Sequence, residues 1–160
     1  MGGGEFITPN VSYVKENQIS YFNPRVDYSK EYLTFTALED DMTVSFNKYA
    51  TSGTLNYSID EGNTWTELTD TTPSINTGEK IIFKGNLMSK SSGGIGVYST
   101  TKNFDVNGNA MSLLYGDNFV EQTDLTGRSY AFFGLFSGCA TVVNAKDLIL
   151  PATTLAQNCY

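Results

Sequence analysis

Apolar and polar residues alternate through the middle of the chain. Between Tyr32 and Tyr115, about seven short runs with a period of two are separated by polar turn clusters. The alternating positions are Leu33/Phe35/Ala37, Met42/Val44/Phe46, Leu55/Tyr57/Ile59, Trp65/Leu68, Ile81/Phe83, Ile95/Val97 and Phe104/Val106. This period is that of strands with one buried face, and its regular recurrence is typical of an antiparallel sandwich. We therefore predict a mainly β chain with an immunoglobulin-like β-sandwich over residues 32–115.

A glycine-rich arm and two shorter alternating runs precede the predicted sandwich. Runs at residues 10–15 and 18–22 flank the polar pair Glu16-Asn17, which predicts a hairpin. Glycine loses much entropy on ordering, and a lone hairpin is marginally stable in water. We therefore expect residues 1–31 to form an arm and an anchoring hairpin that order against a partner. The candidate anchoring residues are Gly2, Gly3, Gly4, Phe6, Val11, Tyr13, Ile19 and Tyr21.

The turn after the third alternating run carries a recognisable motif. Residues 58–65 read Ser-Ile-Asp-Glu-Gly-Asn-Thr-Trp and match the Asp-box that recurs in sialidases and other β-propellers. We expect a structural turn in which Asp60 accepts hydrogen bonds from amides, Gly62 adopts a positive φ and Trp65 is buried. The motif residues are Ser58, Asp60, Gly62, Thr64 and Trp65. A sialidase site needs three arginines, whereas this chain has only Arg25 and Arg128, so we do not expect that activity.

Residues 116–160 combine a polar connection, an apolar segment and several short motifs. Residues 116–127 are a polar connection, and residues 128–136 have the length and apolar density of a helix-like capping unit. The strings Phe-Ser-Gly-Cys at 136–139, Leu-Pro-Ala-Thr-Thr-Leu-Ala at 150–156 and Cys-Tyr at 159–160 follow. Together they resemble the BspA-like leucine-rich repeats of gut Bacteroidetes. The repeat-motif residues are Phe136, Gly138, Cys139, Leu150, Pro151, Leu155 and Cys159.

The resemblance extends to the central region. Residues 57–65, 81–86 and 104–117 look like the β-sandwich that precedes the repeats in that family, so residues 32–160 are covered. It implies that residues 116–160 hold a linker and the first leucine-rich repeat of a truncated solenoid. Solenoid units bury their apolar face only against stacked neighbours. We therefore expect residues 116–160 to be less stable than the sandwich.

The composition argues against catalysis. The chain has no histidine, which excludes Ser-His-Asp and Cys-His systems and histidine zinc sites. Its carboxylates lie almost wholly in predicted turns, where no burial would raise a pKa. Residues 105–116 lack the glycine and glutamate positions of an EF-hand, and residues 92–96 lack the lysine of a phosphate loop. We expect no enzyme activity and no catalytic, cofactor-binding or metal-binding residues.

Charge and hydropathy argue against further classes of protein, namely nucleic-acid-binding and membrane-spanning proteins. Ten basic against 17 acidic residues give a formal charge of −7, so we expect no nucleic-acid partner. The strongest apolar run, residues 130–136, is far too short to span a bilayer, and residues 1–10 do not form a signal peptide. We expect Cys139 and Cys159 to act as small buried hydrophobes rather than as a disulfide or metal pair.

The family resemblance implies display and adhesion. The missing leader favours a phage virion appendage, a head fibre or capsid decoration protein on the virion surface. Its N-terminus would bind a capsid or other virion protein as a dimer or trimer, and further repeats would bind a host surface protein or glycan. One alternative is an extracellular adhesin on the bacterial cell surface. Another is a secreted carbohydrate-binding or glycosidase accessory domain that stacks sugars on exposed aromatics, with Tyr13, Tyr21, Tyr28, Tyr32, Tyr49 and Tyr98 as candidates.

Overall fold

The computed structural model describes residues 26–47, 51–89, 95–97 and 102–160. The predicted anchoring hairpin lies outside the described residues, and so do its candidate anchoring positions, Gly2, Gly3, Gly4, Phe6, Val11, Tyr13, Ile19 and Tyr21. The candidate sugar-stacking residues Tyr49 and Tyr98 also lie outside them.

Short strands account for most of the regular structure in these ranges. The strands are β1 (Leu33–Ala37), β2 (Phe46–Asn47), β3 (Thr51–Ser52), β4 (Leu55–Ser58), β5 (Thr66–Glu67), β6 (Lys80–Gly85), β7 (Met88–Ser89), β8 (Gly96–Val97), β9 (Phe104–Asn109) and β10 (Val142–Ile149). One α-helix, α1, covers Ser112–Tyr115, and two 3₁₀ turns cover Tyr28–Lys30 and Gly116–Asn118. The prediction of a mainly β chain is confirmed.

A mixed six-stranded sheet organises the structure. Its strand order is β10-β9-β1-β6-β4-β5, and β2–β8 and β3–β7 form two separate two-stranded sheets. All neighbours in the large sheet pair antiparallel except β10 and β9, which run parallel. The parallel pair needs a long connection, and residues 110–141 provide it.

The period of two places one apolar face of this sheet in the core. Phe35 of β1 pairs with Ile81 of β6 on one side and Val106 of β9 on the other, and these side chains are 0 to 2% exposed. The ring centroid of Phe46 on β2 lies 6.1 Å from that of Phe35 and 5.0 Å from that of Phe83. The small β2–β8 sheet therefore lies over the buried face of the large sheet.

Sheet and core continue across the boundary predicted near residue 115. Beyond it, β10 extends the large sheet, and Phe119, Leu125 and Phe132 belong to the same buried cluster as Phe35. Among the described residues, the segments before and after residue 115 therefore share one core. This gives no structural reason for residues 116–160 to open first, contrary to the expectation from the repeat pattern.

The prediction of a helix-like unit at residues 128–136 is wrong. These residues form consecutive turns closed by bonds such as Ala131 N to Arg128 O at 3.2 Å and Leu135 N to Phe132 O at 3.0 Å. Tyr130 and Gly134 have positive φ values of 60° and 69°, which a right-handed helix does not allow. Apolar density in this segment reflects burial against the common core rather than a helical face.

Gly108 lies where β9 approaches the backbone that precedes β1. Its φ is +86°, and a Cβ there would overlap the carbonyl oxygen of Tyr32. The neighbouring Asn109 donates its backbone N–H to Glu31 O at 2.9 Å. Only glycine satisfies both the conformation and the close approach.

We predict that Gly108→Ala destabilises the chain by about 3 kcal/mol, because it combines an unfavourable φ with a backbone clash. The matched control is Gly78→Ala, since Gly78 also has a positive φ of +84° but a Cβ added there would meet nothing within 4 Å. That change should cost about 1 kcal/mol. Urea unfolding of both variants measures the difference, and equal losses would contradict the close approach.

Candidate functional site

The Asp-box residues form a self-closed turn between β4 and β5. Ser58 Oγ donates to Asp60 Oδ1 at 2.6 Å and accepts from Gly62 N at 2.9 Å. Asp60 accepts from Thr64 N at 2.9 Å and from Thr64 Oγ1 at 2.6 Å. Gly62 has a φ of +88°. The side chains therefore replace missing backbone bonds within the turn, which is a local folding role.

These hydrogen bonds also set the acidity of Asp60. Donation from Ser58, and then from Thr64, lowers the pKa of Asp60 from its ordinary 3.8 to about 2. A carboxylate that accepts several hydrogen bonds holds its charge more firmly than a solvated one. Such a group stays ionised at neutral pH, so it is not suited to general acid catalysis.

Trp65 is half-buried, not buried as the sequence predicted. Its ring makes an edge contact with Tyr32, with centroids 5.1 Å apart, and Lys84 Nζ lies 4.1 Å from the ring centroid. The indole therefore lies against the polar face of the large sheet, where a lysine and a tyrosine cover it only partly. A cation over an indole face is an attractive contact.

Asp117 connects this cluster to the segment after α1. It accepts a hydrogen bond from Tyr32 Oη at 2.7 Å and lies 2.8 Å from Lys84 Nζ. The pKa of Tyr32 is raised to about 12 by burial first and by Asp117 second. Hydrogen bonds from Lys84 and Tyr32 lower the pKa of Asp117. We call Tyr32, Trp65, Lys84, Asp117 and Phe119 the aromatic cluster, since the Phe119 and Tyr32 centroids are 4.9 Å apart.

A groove of about 950 Å³ lies on the same polar face of the large sheet. The 3₁₀ turn at Tyr28–Lys30 borders it, and so do the loops around residues 59–61 and 74–79. Its floor includes Thr34, Ile82 and Asn107 from three neighbouring strands. The sequence pattern identified Tyr28 and Tyr32 only as exposed aromatics, and nothing in it indicated a groove.

The repeat-motif residues divide into buried and exposed sets. Phe136 and Cys139 pack against the core, Cys159 is 4% exposed, and Gly138 has a φ of +75°. Leu150 and Leu155 are 46% and 60% exposed. Pro151 is half-buried between them. The motif thus contributes to the core on one side and leaves apolar side chains on the surface on the other.

The described residues offer little for metal or redox chemistry. They contain no group of three or more histidine, cysteine or acidic residues that could hold a metal ion. Cys139 and Cys159 are both free thiols. Asp105 Oδ1 is buried without a hydrogen-bond partner in these ranges, and it belongs to no such group. None of the helices found in these ranges is long and apolar enough to cross a membrane.

Comparison of the chain with protein-family models, curated proteins and solved structures finds no match.

We predict that Trp65→Ala lowers the free energy of unfolding by about 2 kcal/mol, less than a fully buried tryptophan would. The Trp65→Phe control keeps an aromatic ring against Tyr32 and should lose about half as much. Urea unfolding is the measurement. A loss below about 0.5 kcal/mol for Trp65→Ala, the range of ordinary surface substitutions, would show that the contacts with Tyr32 and Lys84 are not formed.

We predict that the Asp60 carboxyl titrates near pH 2 in an NMR pH series. Because its folded pKa lies below the unfolded value, its contribution to stability is present above about pH 4 and is lost as the pH falls to about 2. Ser58→Ala should raise this pKa most, since Ser58 is its main hydrogen-bond donor, and Thr64→Val should raise it less. An unchanged midpoint in Ser58→Ala would refute the assignment.

Proposed function

We propose that this chain is a non-enzymatic attachment module of the BspA-like kind, in which a β-sandwich base carries leucine-rich repeats. We assign it to the surface of a phage virion, as a head fibre or capsid decoration protein. Residues 1–22 would bind a capsid or other virion protein, as a dimer or trimer. Additional repeats would contact a host surface protein or glycan.

Parallel stacking at two separate places supports the repeat part of this proposal. Phe104 of β9 pairs with Val142 of β10, and further along the same strands Asn109 pairs with Ile149. A second parallel bridge joins Asp124 to Thr154, and Phe132 N donates to Cys159 O at 2.8 Å. The path from residue 142 onward therefore follows the path from residue 104 in the same direction. Successive turns of a solenoid stack in this way.

The outer side of this stack is suited to a further unit. In the described ranges β10 is an edge strand of eight residues. Val143, Leu150 and Leu155 are 60%, 46% and 60% exposed nearby in the sequence. A long edge with exposed apolar side chains is an adhesive surface unless another strand or partner covers it. This favours a role in assembly or display.

The entry point of the chain limits where an anchor can lie. Asn109 on β9 donates its side-chain amide to Ser29 O at 2.9 Å and its backbone N–H to Glu31 O at 2.9 Å. Residues 29–31 therefore lie beside β9, the strand that carries β10. In this proposal, an anchor in residues 1–22 joins the described structure at that side of the sheet.

Deletion of residues 1–22 tests the attachment role. We expect the shortened protein to keep its β circular-dichroism spectrum and to lose both self-association and incorporation into particles. A matched control carries residues 1–22 in scrambled order, with the same composition and length. It should fail to assemble as well, because we attribute attachment to the alternating pattern. Normal assembly of the deletion variant would contradict the proposal and favour a cell-surface adhesin.

A further inference from the structure

Tyr28 lines the groove, and among the described residues its ring has no aromatic partner. Tyr32 also lines the groove, but its ring contacts Trp65 and Phe119 and its hydroxyl donates to Asp117. Tyr28 is half-buried, and in the part of the chain that the structure describes its ring has no aromatic neighbour and its hydroxyl no hydrogen-bond partner. Tyr28 lies in a 3₁₀ turn, and its side chain borders the groove.

Polar groups of both hydrogen-bonding kinds line the same space. The Asn107 side chain offers an amide donor and acceptor, Lys80 offers donors, and the Glu31 carboxylate offers acceptors. Within the described ranges none of these side chains has a hydrogen-bond partner. The Tyr28 ring and these unpaired groups therefore border one cavity of about 950 Å³, a volume typical of small-ligand sites.

The charges around the groove favour a ligand without net charge. Two lysines, Lys30 and Lys80, stand among three glutamates, Glu31, Glu61 and Glu79. Lys30 is also 3.4 Å from Asp27, which partly neutralises it. An anionic ligand would meet the glutamates, and a cationic one would meet the lysines. A ligand with many neutral hydroxyl groups avoids both conflicts and can pair with amide, ammonium and carboxylate alike.

We propose that this groove binds a neutral oligosaccharide, with one sugar ring packed on the face of Tyr28 and its hydroxyls bonded to Asn107, Lys80 and Glu31. The C–H groups on one face of a pyranose pack against the electron-rich face of an aromatic ring. The site is separate from the stacked C-terminal segment. It therefore does not depend on the proposed attachment function and would remain if that function proved wrong.

Isothermal titration of the full chain tests this site. The probes are four neutral tetrasaccharides, cellotetraose, xylotetraose, mannotetraose and lacto-N-tetraose, and the sialylated form of the last one. We expect at least one neutral probe to bind saturably. Tyr28→Ala should weaken that binding by about tenfold, and Tyr28→Phe, which keeps the ring, by no more than about threefold. The sialylated form should bind more weakly than its neutral counterpart.

The matched control is Tyr160→Ala, because Tyr160 is 43% exposed and does not line the groove. It should leave the affinity unchanged. No saturable binding of any neutral probe would overturn the proposal, and so would equal losses in Tyr28→Ala and Tyr160→Ala. If no probe binds and Tyr28→Ala lowers the melting temperature, the Tyr28 ring serves the stability of the fold, which also overturns the proposal.

Discussion

Parallel pairing of β10 with β9 is the contact on which the arrangement of the chain depends. Without it, β9 would be an edge strand, and the segment after α1 would have no reason to return to the sheet. Two irregularities in the register, between Val142 and Asn144 and between Asn144 and Asp147, let β10 follow β9 over its whole length. Residues 110–141 then close over the core, where Leu125 and Phe132 become buried. The same pairing therefore links the antiparallel part of the large sheet to residues 110–160.

The aromatic cluster strengthens this link next to the start of β1. Trp65 follows the Asp-box turn, Tyr32 precedes β1, and Asp117 lies after α1, so three distant parts of the chain meet there. Lys84 is only 18% exposed but Asp117 is 63% exposed, and a pair with one solvated partner contributes little by itself. Ring packing of Tyr32 with Trp65 and Phe119 supplies most of the stabilisation.

The sequence allowed prediction of elements whose signal is local. The period of two located β1, β6 and β9 with Phe35, Phe83 and Phe104 pointing into the core, and the Asp-box motif identified the bonds of Asp60. The sequence pattern did not predict β10, because Val142–Ile149 does not alternate cleanly. It also did not predict the turns at residues 128–136, where positive φ values interrupt an apolar segment that resembled a helix. The contact of Asp117 with Lys84 and the groove beside Tyr28 depend on tertiary packing, which no local pattern encodes.

Native-state hydrogen exchange tests most directly whether the centre of the large sheet and residues 116–160 form one cooperative unit. The informative amides are Leu125 and Phe132, which donate to Thr154 O and Cys159 O, and Phe35 in the central strand β1. We expect all three to exchange through the same opening, with free energies that agree within about 1 kcal/mol. Opening of Leu125 and Phe132 at several kcal/mol below Phe35 would contradict the common core and show that residues 116–160 fold as a separate, weaker unit.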